Sequence, residues 1–339
     1  MGRSKGESRG YCGGLGEREI IELIRKRLDI LPACFLPFGD DVSAVALDSE
    51  RVAVLKTDML VAKTDVPRGM SYWQAARKAV VMNISDFAAK GAEPKAVLVS
   101  LGLPRGLLAR DIEEIGRGLN SGAREYGAYI IGGDTGEASD LVVAVSLFGT
   151  AERKRLMLRS GAKVGNILAV TGFFGKSAAG LRLLSDGFAA SEELRGVLLG
   201  SVFMPQARLK EGLALAGSLA VTSSIDSSDG LAWSLNELCR MSGVGFQISS
   251  VPVADEVKSF ADFNGLDALE LALHGGEEYE LVVTVKPKLW GEAEVAVERV
   301  GGRLLPIGKV IREKQVILQL DGKKRLVEPR GWEHFKSKS

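Results

Sequence analysis

Apolar positions recur at helical spacing over residues 17–28, which predicts an amphipathic helix. Two runs rich in Val and Ala follow, residues 42–47 and 51–57, and Asp48-Ser49-Glu50 between them predicts a hairpin turn. Ser71 stands where an N-cap belongs and Gly91 where a C-cap belongs, so the stretch between them reads as one long helix. A strand over 96–101, a second helix over 109–126 and strands over 128–131 and 141–148 complete a first half of sheet plus two long helices. The pattern then restarts. Residues 166–171, 244–248 and 281–285 read as strands, and 176–184, 206–219 and 230–239 as helices. The basic stretch 151–159 lies between the halves and predicts the domain boundary, giving a tail 1–16 and domains 17–150 and 151–339. Residues 1–14, rich in Gly, Ser and charge without an apolar segment, predict a disordered tail and not a signal peptide.

On this pattern, the placement of acids carries the chemistry. Phe38-Gly39-Asp40-Asp41 precedes a predicted strand, Lys56-Thr57-Asp58 ends one, and Gly132-Gly133-Asp134-Thr135 ends another. Asn83-Ile84-Ser85-Asp86 lies on the first long helix, where Asn83 and Asp86 share a face. Asp226-Ser227-Ser228-Asp229-Gly230 joins a strand to a helix, and Gly275-Gly276-Glu277-Glu278 enters a last core strand. Small neighbours let backbone approach a ligand, and loops at strand ends are where sites are built. Any one of these acids alone is also an ordinary turn residue or N-cap. Together they would repel: two carboxylates 4 Å apart cost about 4 kcal/mol at an effective dielectric near 20. Divalent cations would remove that cost and bridge the oxygens of a nucleotide triphosphate.

Composition narrows the metal. With two histidines and three scattered cysteines, Cys12, Cys34 and Cys239, a His/Cys zinc site is nearly excluded, and oxygen ligands point to magnesium, manganese or calcium. Unpaired cysteines fit a reduced, cytoplasmic compartment. The 44 basic and 43 acidic residues nearly cancel, which argues against nucleic acid or an anionic membrane as partner. No apolar run reaches the roughly 18 residues of a membrane helix. Thr171-Gly172-Phe173-Phe174-Gly175-Lys176-Ser177 looks like a phosphate loop, but Val170 holds its first glycine position, so a structural turn is expected there.

Taken in order, these segments resemble the thiamine-monophosphate kinase family, in the superfamily that also holds aminoimidazole ribonucleotide synthetase, selenophosphate synthetase and a carbamoyl-dehydrating hydrogenase maturation factor. The likeness spans about residues 17–335 and rests on GDD at 39–41, TD at 57–58, NISD at 83–86, GGDT at 132–135 and RSGAK at 159–163. TGxxGxSAAGL at 171–181, DSSDGL at 226–231, GGEEYEL at 275–281 and GWEHF at 331–335 complete it. The resemblance implies an α/β fold of the α+β type in two aminoimidazole ribonucleotide synthetase-like domains, each a mixed sheet packed against helices. It implies a homodimer through the N-terminal sheets, and several Mg²⁺ ions on Asp41, Thr57, Asp58, Asp86, Asp134, Asp226 and Asp229. Gly133, Asp134, Arg159 and Ser228 would contact ATP, and Glu277 and Trp332 the thiamine end. The reaction implied is ATP-dependent phosphorylation of thiamine monophosphate, with no acid–base residue.

The chain departs from the family's pattern in three places. Asp65 stands where a substrate-contacting His is usual; it is expected to meet the thiazolium or a metal. Lys56 replaces a small hydroxyl residue, and because Lys56 and Asp58 point the same way along a strand, its ammonium is expected to supply part of one metal's charge. Glu278 replaces an Asp. The alternatives are a sister enzyme with another substrate or a non-catalytic ATP- and magnesium-binding regulator. Cys12 beside Gly13 and Gly14 offers weak support for a selenophosphate synthetase, and an end at Lys338-Ser339, without a terminal Cys, argues against the maturation factor.

Overall fold

The computed structural model describes residues 15–29, 31–32, 34–36, 38–320 and 322–333. Cys12, His334, Phe335 and nearly all of the expected tail lie outside them. The first half runs α1 (Glu17–Arg25), β1 (Ser43–Ala46), β2 (Arg51–Val61), α2 (Ala62–Asp65), α3 (Tyr72–Lys90), β3 (Glu93–Leu103), α4 (Ala109–Glu125), β4 (Tyr129–Glu137) and β5 (Val142–Glu152). Its five strands form one sheet in the order β1-β2-β5-β3-β4. The hairpin turn forms because Asp48 Oδ1 accepts from the backbone N–H groups of Glu50 and Arg51, at 2.9 and 2.8 Å. Strands β2 to β5 all outrun their predicted ends, two of them at candidate site residues. β2 continues to Val61 because β5 offers a partner to every residue of it, and β4 continues to Glu137 alongside the parallel strand β3. Asp58 and Asp134 therefore lie inside strands, not at their ends.

The second half runs β6 (Ile167–Val170), α5 (Lys176–Ser185), α6 (Glu192–Phe203), α7 (Leu209–Ser218), β7 (Val221–Asp226), α8 (Leu231–Ser242), β8 (Gly245–Ile248) and α9 (Asp255–Asn264). It ends with α10 (Ala268–His274), β9 (Leu281–Val285), α11 (Trp290–Glu298), β10 (Leu305–Ile311), β11 (Val316–Leu320) and β12 (Lys323–Leu326). Its sheet has the order β12-β11-β8-β10-β6-β9-β7. β9 is not the last inner strand, since β10 inserts between β8 and β6. The boundary expected at 150 falls inside β5.

Helix α3 joins the halves. It starts on a capping box, with Ser71 accepting from Gln74 N, and stops at Gly91, whose φ of 64° suits a residue without Cβ. It packs on β2, β3 and β5 of the first sheet, on β7 and β9 of the second, and on α4 and α7. Surrounded in this way, it buries polar residues as well as apolar ones: Lys78, Asn83, Ser85, Asp86 and Lys90 are all buried. At Gly212 on α7 a Cβ would sit 2.0 Å from the Ala88 carbonyl oxygen, so only glycine permits this approach to α3. One hydrophobic core spans both halves, with Val54, Ile84, Phe87 and Val145 in the same cluster as Ala169, Leu215 and Val283.

Candidate active site

Three acids from three elements meet against α3. Asp41 precedes β1, Asp86 lies on α3 and Asp226 ends β7; each is buried and offers a carboxylate oxygen within 4.8 Å of the others. Protein cations already hold part of this charge. Lys90 Nζ lies 2.6 Å from Asp40 Oδ1 and 2.7 Å from Asp41 Oδ2, the latter at an angle outside hydrogen-bond geometry. The Arg159 guanidinium donates to Asp41 Oδ1, with Nε at 2.7 Å. Lys56 Nζ bridges Asp58 Oδ1 at 3.0 Å and Asp86 Oδ2 at 2.9 Å. Asp226 Oδ2 accepts from Ser85 Oγ at 2.6 Å. Asn83 Oδ1 accepts from Asp58 N at 3.0 Å, so the shared helix face of Asn83 and Asp86 grips β2 twice.

The charge balance is uneven. Burial opposes ionisation of Asp41, yet Arg159 and then Lys90 outweigh it and hold its pKa below the ordinary value. Asp86 is pushed well above its ordinary value by burial, which Lys56 opposes and Asp58, Asp226 and Asp41 reinforce. Burial, then the Asp41 charge, raises Asp226 to about 6; burial, then Asp226, raises Asp229 to about 7. For Lys56, burial disfavours the charge but Asp86 and Asp58 outweigh it and raise the pKa. Buried carboxylates forced together, with only oxygen donors, suit a hard divalent cation. Asp41, Asp86 and Asp226 fit magnesium on that ground.

Other expected residues lie elsewhere. Side chains alternate across β2, so Lys56 and Asp58 share the core face while Thr57 points to the opposite, open face, bonded to Val145 O and Ser146 Oγ. The pairing of β2 with β5, β5 with β3 and β3 with β4 puts Asp134 on that open face as well, and Gly133 on the core face opposite Val99. The structure does not bring Thr57 or Asp134 into the buried triad.

The substrate-side residues gather round one loop. Glu277 N donates to Ser228 O at 2.6 Å and Tyr279 N to Ser227 O at 2.9 Å. Trp332 N donates to Asp229 O at 3.1 Å, which pins the C-terminal segment beside the Asp226–Asp229 turn. Glu277 and Tyr279 hold left-handed backbone, with φ of 62° and 54°, at a cost of about 1–3 kcal/mol each. Lys78, which motif reading missed, connects two expected residues: its Nζ pairs with Glu277 Oε1 at 2.5 Å and donates to Asp65 O at 3.0 Å. Asp65 uses its own carboxylate locally, accepting from Val61 N at 2.7 Å. A cleft of about 740 Å³ is lined by Thr171, Lys176, Arg208, Glu277, Glu278 and Glu280 among others; it includes Glu277 but none of the triad. The carboxylate geometry, not this cleft, marks the chemistry.

The false phosphate loop has a structural occupant. Glu278 Oε1 accepts from Gly175 N at 2.8 Å and Ser177 N at 3.0 Å, filling the N-terminus of α5 where an anion would otherwise bind. Burial, opposed by those two N–H groups, raises Glu278 to about 8. The folded state thus keeps a proton that the unfolded chain releases above about pH 4.5, and stability falls as pH rises from there through about 8. Glu278→Gln cannot ionise, so its stability between pH 5 and 8 is expected to fall less steeply, by up to about 1.4 kcal/mol per pH unit. Urea denaturation at several pH values checks this; parallel slopes for the two proteins would contradict it.

Comparison with known proteins agrees with this architecture. Residues 39–151 match the family description "AIR synthase related protein, N-terminal domain" and residues 163–321 its C-terminal counterpart. Thiamine-monophosphate kinase of Nitrosopumilus maritimus is 35% identical over 95% of this chain and 99% of its own. The Pyrococcus horikoshii enzyme of that name is 36% identical over 94% and 96%. The chain belongs to the thiamine-monophosphate kinase family. Among solved structures, AaThiL complexed with AMPPCP and TMP superposes with a TM-score of 0.84 at 31% identity, covering 97% of this chain and 100% of that one. The hydrogenase maturation protein HypE of E. coli, at 22% identity and a TM-score of 0.66 over 92% of this chain and 96% of its own, shares the fold. No helix among the described residues is long and apolar enough to cross a membrane.

Proposed function

We propose that this protein transfers the γ-phosphoryl group of ATP to the phosphate of thiamine monophosphate, forming thiamine diphosphate and ADP. The observation that carries the reading is the buried convergence of Asp41, Asp86 and Asp226 in a chain of this family. These three would hold magnesium, which when bound supplies positive charge to the β- and γ-phosphates of ATP. Arg159, with donors beyond those it spends on Asp41, would meet a phosphate oxygen. Glu277, with its carboxylate steered by Lys78, and Trp332, at the same turn, would face the cationic thiazolium. An oxygen of the thiamine monophosphate phosphate attacks the γ-phosphorus as the bond to the β-phosphate breaks. That nucleophile loses its second proton near pH ~6, so it needs no base. The described histidine, His274, is accordingly engaged structurally, with Arg330 O at 3.0 Å and with Glu270.

Incubation with ATP, Mg²⁺ and thiamine monophosphate, followed by oxidation to fluorescent thiochrome derivatives, tests the reading. Thiamine diphosphate is the expected product. Clean ATP binding with no product would favour the regulator.

The protein is further proposed to work in the cytoplasm as a homodimer joined through the open face of the first sheet. Leu55, Met59, Leu98 and Phe148 stand exposed together on that face, between 39% and 57%. Thr57 and Asp134 share it and would then border the partner. Phe148→Glu is expected to shift the sedimenting mass from two chains to one; an unchanged mass would contradict the interface.

A further inference from the structure

We propose that Lys56 is a built-in cation that takes the place of one divalent ion, so that the space between Asp58 and Asp86 binds metal only when this ammonium is removed. The inference rests on the magnesium-dependent reading above and specifies how many ions it involves. Its basis is position. Lys56 Nζ lies 3.0 Å from Asp58 Oδ1 and 2.9 Å from Asp86 Oδ2, bridging two carboxylates as a divalent ion would. The side chain cannot easily be a surface charge that happened to fold inward. It projects from the core face of β2, two residues before Asp58, and is only 19% exposed. Asp86 is held in turn by α3, whose Asn83 binds the backbone of Asp58, so the two carboxylates are fixed on either side of the ammonium.

An ion bound between these carboxylates would need oxygens at about 2.0–2.1 Å for magnesium and would sit against a positive nitrogen. The two cations exclude each other. The rest of the cluster is different. Among the described residues, the side chain of Asp226 has a hydroxyl, Ser85 Oγ, as its one hydrogen-bond partner, and the triad oxygens remain within 4.8 Å of one another. A divalent ion is thus directed to the Asp41–Asp86–Asp226 side, and Asp58 is left to hold the lysine. Lys56 is in this sense a positioning residue: it orients Asp86 toward the triad and limits the ion count.

Equilibrium dialysis with Mn²⁺ in the presence of AMPPCP counts the ions held by each chain. Lys56→Ser is expected to bind one more Mn²⁺ per chain than the wild type, and Lys56→Arg, which keeps the cation, the same number as the wild type. An anomalous difference map of wild-type crystals grown with Mn²⁺ and AMPPCP gives a check that does not depend on either variant folding. No peak is expected within bonding distance of both Asp58 and Asp86. Equal Mn²⁺ counts in wild type and Lys56→Ser, or a wild-type peak between those two carboxylates, would overturn the inference while leaving the kinase reading intact. No Mn²⁺ bound by either chain would overturn both.

Discussion

Asp86→Asn is expected to lower the rate of thiamine diphosphate formation at least a hundredfold, on the scale of losing one electrostatic contact to the transition state. Asp86 is the acid that belongs to both charge systems, pairing with Lys56 and lying within 4.8 Å of Asp41 and Asp226. An amide keeps the shape but supplies a poor ligand and no negative charge. Part of the metal-free stability should go with it, since Asn gives the Lys56 ammonium no counter-charge, but Asp58 remains at 3.0 Å as its partner and the fold is expected to survive. Metal-free Tm should therefore fall, while the rise in Tm produced by Mg²⁺ shrinks as well. Thiochrome kinetics and thermal melts with and without Mg²⁺ check both parts; a near wild-type rate would show that this acid does not hold the metal.

Lys90→Met should act on stability instead. Lys90 is fully buried, pairs with Asp40 and Asp41, and donates to Ser224 O at 2.7 Å. Methionine fills a similar volume but takes the ammonium from Asp40 and leaves Asp41 with Arg159 alone. Removing one partner of a buried ion pair costs about 3–5 kcal/mol. Urea denaturation in metal-free buffer should show a loss of that order, and Mg²⁺ should restore part of it if the ion approaches Asp41. A loss below about 1 kcal/mol would mean that Arg159 alone balances these acids.

What the sequence disclosed depended on how local each signal was. α3 was legible to the residue because Ser71 and Gly91 are themselves its caps. β9 and the hairpin of β1 and β2 were legible for a similar reason, as Val-rich runs and an Asp turn. Among the elements that were not, α6, β10 and β12 show why. α6 carries Gly196 and Gly200 with apolar residues on every side, β10 contains Pro306 and a bulge before Gly308, and β12 is Lys-Lys-Arg-Leu, exposed throughout. Tertiary pairing stabilises these against their own propensities. Asp58 and Asp134 were placed at strand ends because glycine and aspartate weaken strand propensity, whereas continuous partners on β5 and β3 carry both strands onward.

The site shows the same division. Motif order indicated Asp41, Asp86 and Asp226 as ligands, and the shared direction of Lys56 and Asp58 followed from strand alternation. Lys78 and Lys90 left a fainter trace: they stand eight residues before and four after Asp86, near its stripe on a helix rich in Ala and Val. A charge near the stripe that already carries a candidate ligand is the signal that would have found them. The role of Glu278 as the N-terminal cap of α5 was not legible, because it joins residues about a hundred positions apart.

The most direct test of the central claim is an anomalous difference map from crystals of the protein grown with Mn²⁺ and AMPPCP. The account predicts a peak coordinated by carboxylate oxygens of Asp41, Asp86 and Asp226 and touching the phosphate chain of the nucleotide. Manganese bound to the nucleotide elsewhere, with those three carboxylates still free of metal, would contradict it.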